Sequence, residues 1–392
     1  MTRNIIGSIK LEPDATPPTA AAGVIYFDSG DTKLKVSEDG ATFVDVGTGG
    51  GGTYDAIVDA AGGADYTTLG AAVTAGALNI FLKAGTTTEV GAIVLSASTR
   101  IVGESLGAIV NMGNNQLTVG DGNILDGFII LSSYTARQIV LVSGGQMIQN
   151  MVFINNHTSN PGARNGMIDD NAAVVTFPRI DNCIFEITNT ATDTDNRQAI
   201  NQENVGSYGW MITNCMFFGQ ATTTRISGIR LFGSQNIVSD CVFKDFGEQF
   251  DAFISSVGGG NRFSNITAAT SIGRIYLGGN YCSLSGLSTD QDVDVIVDAD
   301  GCVVSNCATG GTLEVFAVAS QLQVTGCGFD LGIILAGDSS TISACRAGAL
   351  AGGGGGTITI SSGGDNNIIS NCMVDVVLVD GGTGNVTDSV VY

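Results

Sequence analysis

The residues best placed to do chemistry lie between positions 155 and 210. Two stretches, residues 155–171 and 188–209, carry Arg164, Asp169, Asp170, Asp193, Asp195, Arg197 and Glu203, with Trp210 at their edge. Two carboxylates held roughly 5–10 Å apart can act as acid and base, or acid and nucleophile, in glycoside hydrolysis. An indole face would suit stacking on a sugar ring. The plainer reading is a pair of solvated polar loops with Trp210 in the core. A second acidic set, Asp240, Asp245, Glu248 and Asp251, offers the oxygen ligands that Ca²⁺ takes. It lacks the alternation of acids and Gly found in an EF-hand loop. Zinc is disfavoured, because the only His is His157 and there is no Cys-x-x-Cys pair. The glycine run at 352–356 has no strand before it and no Lys-Ser/Thr after it, so it reads as a loop and not a phosphate cradle. No cofactor or metal is expected.

A six-residue phrase must position these loops. It recurs twelve times, starting at residues 124, 148, 180, 212, 238, 263, 284, 304, 324, 342, 369 and 386. The clearest copies read IDNCIF, ITNCMF and VSDCVF. Position one is apolar throughout, and position three is Asn, Asp or Gly in eleven copies, with Ala344 the exception. Position four is Cys in seven copies and position six is Phe in five. The starts are 17 to 32 residues apart, a repeat whose variable length marks a solenoid. The two longest spacings, both 32, are consecutive and bring the two acidic stretches side by side.

Positions one, four and six cannot all face inward on one straight strand, because side chains alternate. They can if the chain bends at position three, where Asn, Asp and Gly tolerate a left-handed backbone. Each phrase is therefore strand, one-residue corner, strand. Stacked phrases make a parallel β-helix with Asn150, Asn182, Asn214, Asn265, Asn306 and Asn371 along one edge. About twelve to fourteen rungs are expected, at about 4.8 Å per rung.

The same frame assigns the cysteines. Cys183, Cys215, Cys241, Cys307, Cys327, Cys345 and Cys372 stand at position four, and Cys282 and Cys302 two residues before position one. All nine read as small inward-facing core residues. Parallel side chains on neighbouring rungs hold their Cβ atoms too far apart for easy disulfide bonding, so free thiols are expected. Arg346, next to Cys345, points outward by alternation and reads as a surface cation.

Net charge is −21 from 53 charged side chains. This argues against nucleic acid as a partner, since phosphate contacts need Lys and Arg. No run of 18 apolar residues suggests a membrane span, and residues 1–13 show no apolar segment of the signal-peptide kind. Residues 1–46 form a separate β module, with two alternating strands around turns at 29–31 and 38–40. Residues 47–52 are a Gly linker. Residues 53–123 hold a capping helix at 69–77, with Thr67 or Thr68 as N-cap. Entry strands are expected at 80–83, 92–95, 99–102 and 108–112, and the β-helix proper spans 124–392.

The segment YDAIVDAAGGADYTTLGAAV and its continuation to Gly107 resemble the entry of pectin-lyase-like, right-handed parallel β-helix proteins. The Asn, Cys and Phe stacks after residue 124 resemble that fold's internal ladders. GVIYFDSGDTKLKVSEDG is similar to short modules on bacteriophage virion proteins, such as tail fibres and head-surface proteins. The resemblance implies an all-β virion surface protein, a homotrimer, attached to other virion proteins through residues 1–46. The polygalacturonase-like pattern of clustered Asp with Gly-His-Gly and Arg-x-Lys is broken here, and the pectate-lyase pattern lacks its basic proton acceptor. The expected function is therefore a non-enzymatic capsid decoration or head fibre. The alternative is a tail fibre or tailspike depolymerase that binds or cleaves a host surface glycan at Asp169, Asp170, Asp193, Asp195, Glu203 and Trp210. A secreted polysaccharide lyase is disfavoured by the missing signal and motifs.

Overall fold

The computed structural model describes residues 54–391 except 134–136, 156–165, 172, 188–196, 220–225, 270–271, 290, 317–318, 349–355, 362–363 and 375; before residue 54 it describes four short strands. Those strands, Pro13–Asp14, Val24–Asp28, Lys33–Ser37 and Val44–Asp45, form one sheet. The two alternating segments pair antiparallel, with Tyr26 opposite Lys35. The turns expected between them lie outside the described residues.

From Ala56 onward the described chain is a parallel β-solenoid with one short helix. Its strands form a 27-stranded sheet, folded around the position-three corner, and a 13-stranded sheet on the third side. One rung shows the plan. Arg179–Asp181 leads to Asn182 at φ 52°, and Ile184–Ile187 leaves at a new angle. Arg197–Gln202 forms the third side, and Gly209 at φ 71° turns the chain back into Met211–Thr213. One turn later the register repeats, with Ile180 beside Ile212 and Phe185 beside Phe217.

The bend puts the large residues inside, as the spacing requires. Phe153, Phe185, Phe217 and Phe243 stack at centroid distances of 4.9, 4.9 and 4.7 Å with rings within 9° of parallel. Burying each such ring stabilises the fold by about 1.5–3 kcal/mol. All nine cysteines are buried and free. The position-four thiols lie above one another and donate to the carbonyl two residues back, as from Cys183 to Asp181 at 3.3 Å and from Cys215 to Thr213 at 3.1 Å. Burial pushes the Cys215 thiol well above its ordinary value, which keeps it protonated.

Asn150, Asn182, Asn214, Asp240, Asn265, Asn306 and Asn371 all sit at the corner with φ between 52° and 56°. Their exposed amides bridge turns, as in Asn182 Nδ2 to Asn150 Oδ1 at 2.8 Å and Asn214 Nδ2 to Asp181 Oδ1 at 2.9 Å. Two copies depart from the expected frame. In the first, Leu125 and not Ile124 is the buried position-one residue, paired with Ile101 and Ile148, and the corner is Gly127 at φ 75°. The run of apolar neighbours there left the frame ambiguous by one. In the last, Thr387 pairs with Ile369 and Val391 with Val374, while the register slips past Asn371. That copy has one residue fewer, so Val386–Val391 is an unbroken strand with no residue to spare for a corner.

The entry is closed as expected by a helix, Leu69–Thr74, shorter than 69–77 because Gly76 at φ 87° turns the chain out. Thr68 Oγ1 caps it by accepting from Ala71 N, and Leu69 and Ala72 are buried. Glu89 accepts from Leu69 N and Gly70 N, both at 2.9 Å, tying the helix to the first turn. The entry strands are Asn79–Leu82, Ile93–Val94, Arg100–Gly103 and Ala108–Gly113. Among the described residues no helix is long and apolar enough to cross a membrane.

Candidate functional site

The described part of the acidic stretch begins with Gly166–Asp169, on the third side of the solenoid, with Arg197–Gln202 above it. Ile168 pairs with Ile200 and both point into the core, so alternation turns Asp169 and its partner Asn201 outward. Both are nevertheless fully buried. Asn201 Nδ2 donates to Asp169 Oδ2 at 2.8 Å, and Gly166 N and Asn171 N donate to the same carboxylate at 3.2 and 2.6 Å. Arg137 Nε lies 2.8 Å from Asp169 Oδ1, and Arg137 Nη2 lies 3.2 Å from Glu203 Oε2.

This arrangement decides what the carboxylates can do. Asp169 and Glu203 share one guanidinium. Asp170 accepts from Glu203 N at 2.8 Å, from Asn204 N at 3.2 Å and from Ser207 Oγ at 2.9 Å. Burial raises its carboxyl above the ordinary value, with those hydrogen bonds pulling the other way. Asp170 thus holds the turn at 203–207 and has little capacity left for a substrate. Trp210 is fully buried, and its Nε1 donates to Val175 O at 3.3 Å. It is a core residue, as in the plainer reading of the sequence, and offers no indole face at the surface. Asp193 and Asp195, like Arg164 and His157, lie outside the described residues. In the second acidic set, Asp240 is a corner residue that accepts from Asn265 Nδ2 at 3.0 Å. Arg346, outward as expected, pairs with Asp330 at 2.8 Å.

Sequence reasoning missed a second corner. Three residues before each position-one residue the backbone is again left-handed: Ser98, Gly122, Gly145, Phe177, Gly209, Gln235, Gly260, Tyr281, Gly301, Gln321, Ser339, Asn366 and Gly384 all have φ between 53° and 72°. A buried amide ladder stands beside it. Asn123, Asn236, Asn261 and Asn367 are fully buried, and Asn236 Nδ2 donates to Gly233 O at 3.1 Å while its Oδ1 accepts from Trp210 N at 2.9 Å. The recurring Gly was the available signal, but Gln, Ser, Phe and Tyr interrupt it.

Two members of that corner are aromatic and point into solvent. Phe177 is 58% exposed at φ 55°, and Tyr281 is 71% exposed at φ 59°. Each ring lies across the corner glycine of the next turn. A Cβ on Gly209 would stand 2.6 Å from Phe177 Cδ1, and one on Gly301 2.5 Å from Tyr281 Cδ1. Tyr208 adds a third ring, edge-on to Phe177 with centroids 5.1 Å apart.

No protein-family model matches the chain, and no curated protein matches it by sequence. Solved structures do match by shape. Tailspike protein 3 of bacteriophage CBA120 is 13% identical with a TM-score of 0.51, covering 81% of this chain. This chain spans 57% of the length of that tailspike. The catalytic domain of a GH87 α-1,3-glucanase, in complex with nigerose, is 12% identical over 92% of this chain and 74% of that one, with a TM-score of 0.44. The receptor-binding protein of bacteriophage Det7, a podoviral tailspike in a myovirus, is 12% identical over 81% of this chain and 74% of that one, with a TM-score of 0.41. At these identities the likeness is one of fold.

Proposed function

We propose that this chain is a bacteriophage virion-surface protein of the tailspike type, whose β-helix binds polysaccharide on the host surface. The observation that carries this reading is the likeness of the solenoid to the CBA120 tailspike across 81% of this chain. A separate small β-sheet and a glycine-rich linker ahead of the solenoid fit the same plan, with residues 1–46 as the attachment to other virion proteins. The assembly is a homotrimer. The capsid-decoration role expected from sequence has no such support, and the tail takes its place.

The proposed activity is binding, not cleavage. Asp169 and Glu203 are both paired with one arginine, and Asp170 accepts from the turn it holds. Purified full-length chain, added to susceptible host cells, is expected to slow phage adsorption in a dose-dependent way. No reducing ends or unsaturated products should appear from host capsule or lipopolysaccharide. A chain that neither binds cells nor slows adsorption would remove this reading. Turnover that disappears in Asp193→Asn or Asp195→Asn would replace binding by depolymerase action.

A further inference from the structure

We infer that the exposed aromatic corner, Phe177 with Tyr208 and, four turns on, Tyr281, is the glycan-binding edge, and that its ligand is a neutral polysaccharide. The inference rests on the binding role proposed above and gives it a location and a ligand class.

A left-handed φ is unfavourable for any residue with a Cβ and is an outlier for a bulky one. At this corner the solenoid elsewhere uses Gly, Gln, Ser or Asn, so the fold itself has no need of an aromatic. Phe177 and Tyr281 recover little by burial, since each is more than half exposed. Strained residues that bring no packing gain concentrate at functional sites. Both rings lie against a glycine of the next turn and stay more than half exposed. An open aromatic face is what the C–H side of a pyranose stacks on. Four rungs separate the two platforms, about 19 Å at about 4.8 Å per rung, so a polysaccharide running along the solenoid axis meets both. Gln235, exposed between them, supplies a donor and an acceptor for sugar hydroxyls.

Charge selects the ligand class. The chain carries a net −21, Asp300 follows Tyr281 on the next turn, its carbonyl accepting from Tyr281 N, and the cation nearest Phe177 in sequence, Arg179, is paired with Asp181 at 3.0 Å. A polymer of uronic or sialic acids would be repelled. A neutral, hexose-rich chain would not.

The test uses full-length protein on an array of neutral O-antigen polysaccharides and uronic-acid-containing capsular polysaccharides. The variants are Phe177→Asn, Tyr281→Asn and the double substitution. Asn tolerates the left-handed backbone, so melting temperatures should hold or rise. Affinity for neutral polysaccharide should fall about tenfold or more in the double variant, the scale of a lost aromatic anchor. Unchanged affinity in the double variant, or a lower melting temperature with binding intact, would reduce the rings to covers for Gly209 and Gly301 and overturn the site. A preference for the acidic polymers would overturn the ligand class. If the unaltered chain binds no glycan and does not slow adsorption, the host-binding reading falls as well. Slowed adsorption with the double variant fully active would sink the edge alone.

Discussion

Ala344 is the one alanine at the position-three corner, and it holds φ 51° like its Asn and Gly neighbours. An L-residue pays roughly 1–2 kcal/mol for that conformation. Replacing Ala344 by Asn should recover up to about 1 kcal/mol, read as a higher denaturation midpoint; a lower midpoint would mean that the corner is set by something other than backbone preference. Asp170 gives a pH test at the same scale. Burial raises its folded-state value above the ordinary 3.8, so the native state holds this proton more tightly than the unfolded chain. Its contribution to stability is present below 3.8 and is lost as pH rises through the raised value. Denaturation at pH 3.5 and pH 6 should therefore show the unaltered chain losing stability relative to Asp170→Asn; a gap that moved the other way would contradict the burial account. The thiols are a third case. Cys183, Cys215, Cys241 and the other six are buried, so alkylation should be slow in native protein and complete after unfolding. Rapid native labelling of most of them would break the ladder.

At the scale of the element, the phrase was legible because one constraint fixed three positions at once: a corner at position three forces positions one, four and six inward. The constraint failed where it had competition. Around Ile124 the neighbours are apolar on both sides, and hydrophobicity alone could not choose the frame. The second corner stayed hidden for a different reason. Its left-handed positions carry Gly, Gln, Ser, Asn, Phe and Tyr, so no single residue type marks them. At the acidic stretches Arg137 pairs with both Asp169 and Glu203, a partner that nothing local in the sequence announces, while Asp193 and Asp195 lie outside the described residues. The capping helix was visible through Thr68, but its second anchor, Glu89, was not. A charge-assisted hydrogen bond to an otherwise unsatisfied helix N–H group is worth about 1.5–3 kcal/mol net of water. Glu89→Ala should accordingly lower stability by about 2 kcal/mol and speed amide exchange in Leu69–Thr74 before the turns beyond it. Equal protection along the whole solenoid would show that the helix does not close the end.

For the whole molecule, repeat stacking makes stability a sum over neighbouring turns, so the solenoid should not depend on residues 1–46. Removing them should leave the β-sheet signal and the melting temperature in place while attachment to the particle is lost. A truncated chain that still joined particles at normal occupancy would move the attachment site into the solenoid. A net charge of −21 makes copies of the chain repel one another and disfavours acidic polymers as ligands. The measurement that bears most directly on the account is electron microscopy of purified particles, with the chain located by an antibody to the solenoid. Trimeric projections at the tail are expected, rooted by residues 1–46 with the β-helix pointing outward. Label on the head, or none on the particle, would contradict it.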